Sequence, residues 1–385
     1  MEFFVNPKIN FLKWRFHALA FSLTFIAIGA GLLATRGLNL GIDFAGGANV
    51  ILRFQQAPPI SQLRAIVADA TIQQYGKAEE NSVLIRLPQA KQEGDYAGRV
   101  LTMLNQRLNA DLQGKLDLNF QGRSALADIL LSVDPDRRGS SPDAVAYYQG
   151  LAEKIIDRRS ELGIFTSMDQ VTSVEGVTPS VANLLRERVA LGKFNLLNAE
   201  TVGPQVGKEL QQKAFWAIVL STLAMGAYIA VRFDLKFGVA GVLILVHDSL
   251  VTLAFLAMIN GQFEIITVAA FLMVIGYSIN DTVVVYDRVR ENVKKVRMRE
   301  SFEDVLNHSL NQTLSRTILT GGSVILVLLS LIFFGGQVIK EFALLLLVGT
   351  IAGTYSTLFI VPAIVVAWER RTGKKAVASG ARRVA

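Results

Sequence analysis

Six stretches of the chain are apolar over the roughly 20 residues that a helix needs to cross a bilayer, and they limit the possible folds more than any other feature. They cover residues 16–34, 214–231, 237–259, 265–286, 318–334 and 342–368, and the gaps between the last five are mostly short. Apolar residues concentrated in this way predict six membrane-spanning helices, with one long segment, residues 37–213, between the first and the second. The chain as a whole is 51% hydrophobic and 18% charged, where a soluble domain averages about 25% charged, and this counts against a soluble enzyme. The first stretch is preceded by basic residues, but its apolar run is long and Leu-Ala-Thr-Arg makes a poor cleavage site, so it is expected to remain as an anchor.

Charge predicts the orientation. Lys8, Lys13 and Arg15 flank the first stretch; Arg288, Arg290, Lys294, Lys295, Arg297 and Arg299 follow the fourth; and Arg370, Arg371, Lys374, Lys375, Arg382 and Arg383 lie in the tail, residues 369–385. By the positive-inside bias all three regions belong in the cytoplasm. Residues 37–213 hold 19 Lys and Arg against 20 Asp and Glu, which places this near-neutral segment on the opposite, periplasmic side. The net charge of +7 thus reads as a topological signal, with the basic runs facing anionic membrane lipid and not nucleic acid.

Within the long segment the pattern is α+β. Residues 49–54 alternate as a strand, 60–68 have helical spacing, 71–75 and 82–87 read as a hairpin, and 96–112 form an amphipathic helix with Val100, Met103, Leu104 and Leu108 on one face. This order predicts a ferredoxin-like split β-α-β plait closed by a strand at 198–202, with a helical insertion at about 122–194. The turn-rich DPDRRGSS at 134–141 is expected to be the insertion's mobile entry. Residues 162–185 are similar to a helix-hairpin-helix unit with Ser167 as N-cap. Where that motif has a second glycine, this chain has Thr178-Pro179, and Pro179 has no N–H for a phosphate, so a packing role is expected.

Ionisable side chains within apolar runs are functional candidates. Asn280 and Asp281 interrupt the fourth stretch, with Ser278 and Thr282 beside them; His247 and Asp248 interrupt the third; Arg316 lies where the fifth helix begins, or inside it if that helix starts near His308. Desolvation disfavours the charged form of a lone carboxyl, which allows it to load and release a proton in the working range. Asp281 is the candidate proton carrier. The competing reading is that these groups are hydrogen-bonding glue between helices, with His247 and Asp248 as polar support. Gly349 and Gly353 supply a close-packing face on the last helix. With no cysteine and three histidines, neither a metal site nor a cofactor is expected.

Four segments carry a family resemblance: GIDFAGG at 41–47, VGPQVGKEL at 202–210, IGYSINDTVVVYDRVREN at 275–292 and LNQTLSRTILTG at 310–321. The chain resembles the SecF family, the smaller half of the SecDF protein-export motor within the resistance-nodulation-division superfamily. The motif positions include Gly41, Asp43, Gly46, Gly47, Gly203, Pro204 and Gly207. The resemblance implies half of a twelve-helix transporter that works with SecD and the SecYEG channel on translocating preprotein, is driven by protons, and is a transport motor rather than an enzyme. By their NDT and SRT contexts, it places the proton-site aspartate on Asp281 and the essential arginine on Arg316. A small-molecule or lipid efflux subunit would instead need an aromatic outer pocket, and residues 37–213 contain no tryptophan. A passive scaffold for the channel would leave Asp281 as glue.

Overall fold

The computed structural model describes residues 7–88, 96–112, 114–295 and 301–381; Arg297, Arg299, Arg382 and Arg383 of the basic runs lie outside the described residues. It is mostly helical. Six helical spans, Phe11–Arg36, Pro204–Arg232, Leu235–Met258, Ile265–Lys295, Phe302–Phe334 and Ile339–Arg371, are long and apolar enough to cross a membrane. The chain divides into two compact units, Ala45–Gly207 and a helical unit formed by the remainder.

In chain order, a 3-10 turn (Phe11–Trp14) leads into α1 (Arg15–Arg36) and the short α2 (Ile42–Ala45). The plait follows as β1 (Gly47–Phe54), α3 (Ile60–Ile66), β2 (Thr71–Tyr75), β3 (Ser82–Leu87) and α4 (Tyr96–Leu108). Next come β4 (Leu116–Asp117), α5 (Arg123–Val133), α6 (Pro142–Leu162), α7 (Met168–Thr172), α8 (Pro179–Arg188), β5 (Val189–Ala190) and the closing strand β6 (Phe194–Val202). The sheet order is β2-β3-β1-β6 with every pairing antiparallel, the arrangement of a split β-α-β plait. Alternation fixes the register. Ala48, Val50, Leu52 and Phe54 of β1 and Val83, Ile85 and Leu87 of β3 are buried in one cluster with Leu63 of α3 and Leu104 of α4. A one-residue slip would turn this set to the other face of the sheet.

Helices α5 to α8 have a core of their own around Leu126, Leu130, Tyr148, Ile155, Phe165 and Leu185. The expected mobile entry is instead a tied turn. Asp134, at φ 46°, accepts hydrogen bonds from the Tyr148 hydroxyl and from the Arg138 and Gly139 amides, each at 2.8 Å. The Thr178 hydroxyl donates to Asp136 at 2.6 Å. The Tyr148 hydroxyl beside it holds the Asp134 carboxyl below its ordinary value, and burial pushes the Tyr148 phenol up to about 12. Ser167 occupies the N-cap position of α7 without a side-chain bond, whereas Thr178 accepts from the Val181 amide at 3.2 Å and so caps α8.

This segment is also stitched to the plait, more closely than a self-contained hairpin would be. The buried Asp117 carboxylate accepts from the amides of Asn119 (3.0 Å) and Gly192 (2.8 Å) and from the Asn109 side chain (3.0 Å). Asn119, also buried, donates to the carbonyls of Phe165 and Gly192 and accepts from the Phe165 amide. Gln55, just past β1, donates to the Phe165 carbonyl, and Asn195 of β6 to that of Gly163.

The remaining helices are α9 (Pro204–Arg232), α10 (Leu235–Met258), α11 (Ile265–Lys295), α12 (Phe302–Phe334) and α13 (Gln337–Ala381). A capping box at Ser301 and Asp304 starts α12, so Arg316 lies well inside that helix. α10, α11 and α12 all pack against α13, whose described buried face includes Ala343, Thr350, Ser356, Thr357 and Val361. The α11–α13 seam depends on glycine. A Cβ on Gly349 would stand 2.1 Å from Val274, and one on Gly353 would stand 3.1 Å from Ser278.

Candidate functional site

Several of the residues that interrupt the apolar runs, Asp248, Ser278, Asp281 and Thr282, are buried between the helices. Asp248 of α10 is fully buried and fully partnered. One carboxylate oxygen meets His247 Nδ1 at 2.8 Å, and the other accepts from the hydroxyls of Ser278 on α11 (2.5 Å) and Ser356 on α13 (3.0 Å). One turn further along α11, Thr282 shares a 3.0 Å bond with Thr357 of α13 and donates to the Ser278 carbonyl. Asp248 therefore clasps three helices.

Asp281 lies between Ser278 and Thr282 in sequence and differs from Asp248 in a way that bears on its chemistry. It is 3% exposed, and its Oδ2 has no hydrogen-bond partner among the described residues. A buried carboxylate left in this condition is costly as an anion, whereas a carboxyl that can take a proton is not. Arg316 of α12 is within electrostatic range of Asp281 and forms no ion pair among the described residues. Tyr277, one turn before Asp281, reaches Gly321 of α12, whose hypothetical Cβ would lie 3.2 Å from the Tyr277 hydroxyl and 3.5 Å from that of Thr354. The site thus draws on α10, α11, α12 and α13.

Not every candidate is in the cluster. Asn280 points away from it and is exposed, as is the Arg316 side chain, so α11 and α12 both present polar groups on the surface of the bundle. Ser356 and Thr357 were not among the sequence candidates. The signal was there in part, because small hydroxyl residues recur at Thr350, Thr354 and Thr357 along one apolar helix.

The motif positions support the site at one remove. The Gly41 amide donates to the Phe263 carbonyl at 3.0 Å, and a Cβ on Gly41 would meet Glu264. Asp43 accepts from the Ile265 amide at 2.9 Å, satisfying a free donor at the start of α11, the helix that carries Asp281. In the other unit, Gly46 and Gly47 take φ of +73° and +129°, and a Cβ on Gly46 would stand 3.3 Å from Pro204. The Gly207 amide donates to the Gly203 carbonyl at 3.0 Å in the first turn of α9.

Two family models match the chain: the C-terminal region of the protein export membrane proteins SecD/SecF over residues 177–371, and the SecD/SecF GG motif over residues 31–58. The chain is 39% identical to the protein translocase subunit SecF of Koribacter versatilis, over 98% of its own length and 96% of that protein. It is 30% identical to the protein translocase subunit SecDF of Thermus thermophilus, over 95% of its length but 39% of that longer protein. The crystal structure of SecDF from the same organism superposes with a TM-score of 0.63 at 29% identity, again over 95% of this chain and 39% of that one. With six spans, an α+β unit between the first and second, and relatives named as translocase subunits along its whole length, the chain is a multi-pass membrane protein of protein transport and belongs to the SecF family.

Proposed function

We propose that the chain pairs with SecD in the inner membrane and, at the SecYEG channel, uses inward proton flow to drive late steps of preprotein export. Both termini are cytoplasmic in this reading and residues 37–213 face the periplasm, the orientation that the basic asymmetry favours. Asp281 carries the proton, Arg316 provides the fixed charge against which it loads and releases, and Asn280 lies on the route to them. His247, Asp248, Ser278 and Thr282 are the polar support that holds α11 in place.

The observation that carries this reading is the contrast between the two buried aspartates. Asp248 is bonded at both oxygens, which suits glue, whereas Asp281, also buried, is left with an oxygen that has no partner among the described residues. The exposed polar groups Asn280 and Arg316 on neighbouring spans support a membrane-embedded partner, and SecD is that partner by analogy with the SecDF relatives. A transmembrane potential of 100 mV supplies about 2.3 kcal/mol for each charge moved, enough to bias two conformations of similar free energy.

The test is preprotein translocation into vesicles energised with a proton gradient. Asp281→Asn keeps shape and hydrogen-bonding capacity but cannot ionise. It is expected to fold, bind SecD and lose the gradient-dependent part of export, while Asp281→Glu retains some of it. Normal gradient-dependent export by Asp281→Asn would reduce Asp281 to a structural residue.

A further inference from the structure

At one end of the helical unit the first turns of the chain leave a groove beside α13. It encloses about 400 Å³ and is lined by Ile9, Trp14, His17, Phe21, Tyr355 and Phe359. The floor is built, since the Tyr355 hydroxyl donates to the Ala18 carbonyl at 2.8 Å and the Tyr355 ring packs edge-on to Phe21 (6.2 Å between centroids) and tilted against Phe359 (5.3 Å). The start of the groove is anchored as well. Asn311 and Asn307 of α12 hold the backbone of Ile9 and Phe11, and Phe11 packs edge-on against Phe359. Trp14 and Phe21 nevertheless remain 56% and 66% exposed, so a large apolar surface at this end is covered by nothing in the described chain.

Charge is distributed unevenly around the groove. Arg15 pairs with Glu303 at 3.6 Å, a carboxylate that it shares with Arg370. Lys8 and Lys13, the sequence neighbours of the lining residues Ile9 and Trp14, are exposed and form no ion pair among the described residues. Two unpaired lysines thus adjoin, in sequence, the lining of an apolar, aromatic groove, and such a pairing of Trp and Tyr with basic residues is what favours contact with anionic lipid.

We propose that this groove is a binding site for one anionic phospholipid, with an acyl chain lying along Trp14, Phe21, Tyr355 and Phe359 and the phosphate held by Lys8 and Lys13. The argument is complementarity: the groove suits an alkyl chain, and the lysines beside it, which form no ion pair among the described residues, suit an anion. A zwitterionic lipid satisfies the first requirement and not the second, and a protein helix would have to bring a carboxylate to the same place.

Tryptophan fluorescence tests this directly, because the chain has three tryptophans. The full-length chain carrying Trp216→Phe and Trp368→Phe reports from Trp14 alone. It is reconstituted in phosphatidylcholine vesicles doped with acyl-brominated phosphatidylglycerol or acyl-brominated phosphatidylcholine. Brominated phosphatidylglycerol is expected to half-quench Trp14 at a mole fraction about fivefold or more below that of the choline lipid. Lys8→Gln with Lys13→Gln should bring the two curves together while leaving the total quenching in place. A chain reporting from Trp216 alone, 56% exposed on α9, supplies the baseline for ordinary lipid contact. Three results would overturn the proposal: equal quenching of Trp14 by both lipids, the same preference at Trp216, or weaker quenching at Trp14 than at Trp216 with either lipid, which would mean that protein fills the groove.

Discussion

Asp248 and Asp281 look alike in the sequence, each a lone carboxyl in an apolar run, and what separates them comes from α13. Ser356 supplies the second hydroxyl to Asp248, and Thr357 binds Thr282 rather than Asp281. These partners are distant along the chain, so periodicity could locate both carboxyls but could not tell which one was satisfied. The cap that Asp43 places on α11 was hidden for the same reason. The difference predicts opposite behaviour. Asp248→Ala strands the buried Ser278 hydroxyl and a histidine nitrogen, at about 1–3 kcal/mol for each stranded group, while Ser356 keeps the Gly353 carbonyl, and should lower the thermal midpoint of the detergent-solubilised chain by several degrees. Asp281→Asn removes a buried group that lacks a full set of partners and should leave the midpoint unchanged or raise it. At Arg316, lysine retains the charge and loses the planar five-donor fork. Export by Arg316→Lys should therefore be partial and by Arg316→Ala nearly absent, as read from translocation rate against external pH.

At the scale of elements the plait was legible almost strand by strand. β2 and β3 run over the residues that alternation gave them, and β6 closes the sheet beside β1. What the pattern could not show was the seam joining the plait to the helices inserted in it, because Asn109, Asp117 and Asn119 carry no periodic signal. Their role is defined by partners near residues 163–165 and 192–193. Asn119→Ala deletes three buried hydrogen bonds and should speed hydrogen exchange at the Phe165 amide, which donates to Asn119, by about two orders of magnitude. Burial raises Asp117 above its ordinary value despite the amides it accepts from. A folded-state value above the unfolded one means that its contribution to stability is present in acid and is lost as pH rises through the folded value. Thermal unfolding followed by circular dichroism should thus show a midpoint that falls with rising pH in that window, and Asp117→Asn should flatten the dependence.

For the whole molecule, apolar length alone gave the number of spans, while charge gave only an orientation still to be measured. The chain has no cysteine, so single cysteines at Ser140 and Lys295, both exposed, can report on it. An impermeant thiol reagent applied to intact cells with a permeabilised outer membrane should label Ser140→Cys and spare Lys295→Cys; the reverse would invert the topology. The glycine seam between α11 and α13 has a consequence for how such a protein can vary. At Gly349 and Gly353 a single added methyl would have to displace Val274 or Ser278, the second a direct partner of Asp248. A library randomised at Gly349 and selected for export should return glycine almost alone and one at Gly353 no residue larger than alanine, whereas one randomised at Gly276, with open space around it, should return many residues. A larger residue at Gly349 should therefore be tolerated only together with a smaller one at Val274, so that α11 and α13 behave as a matched pair.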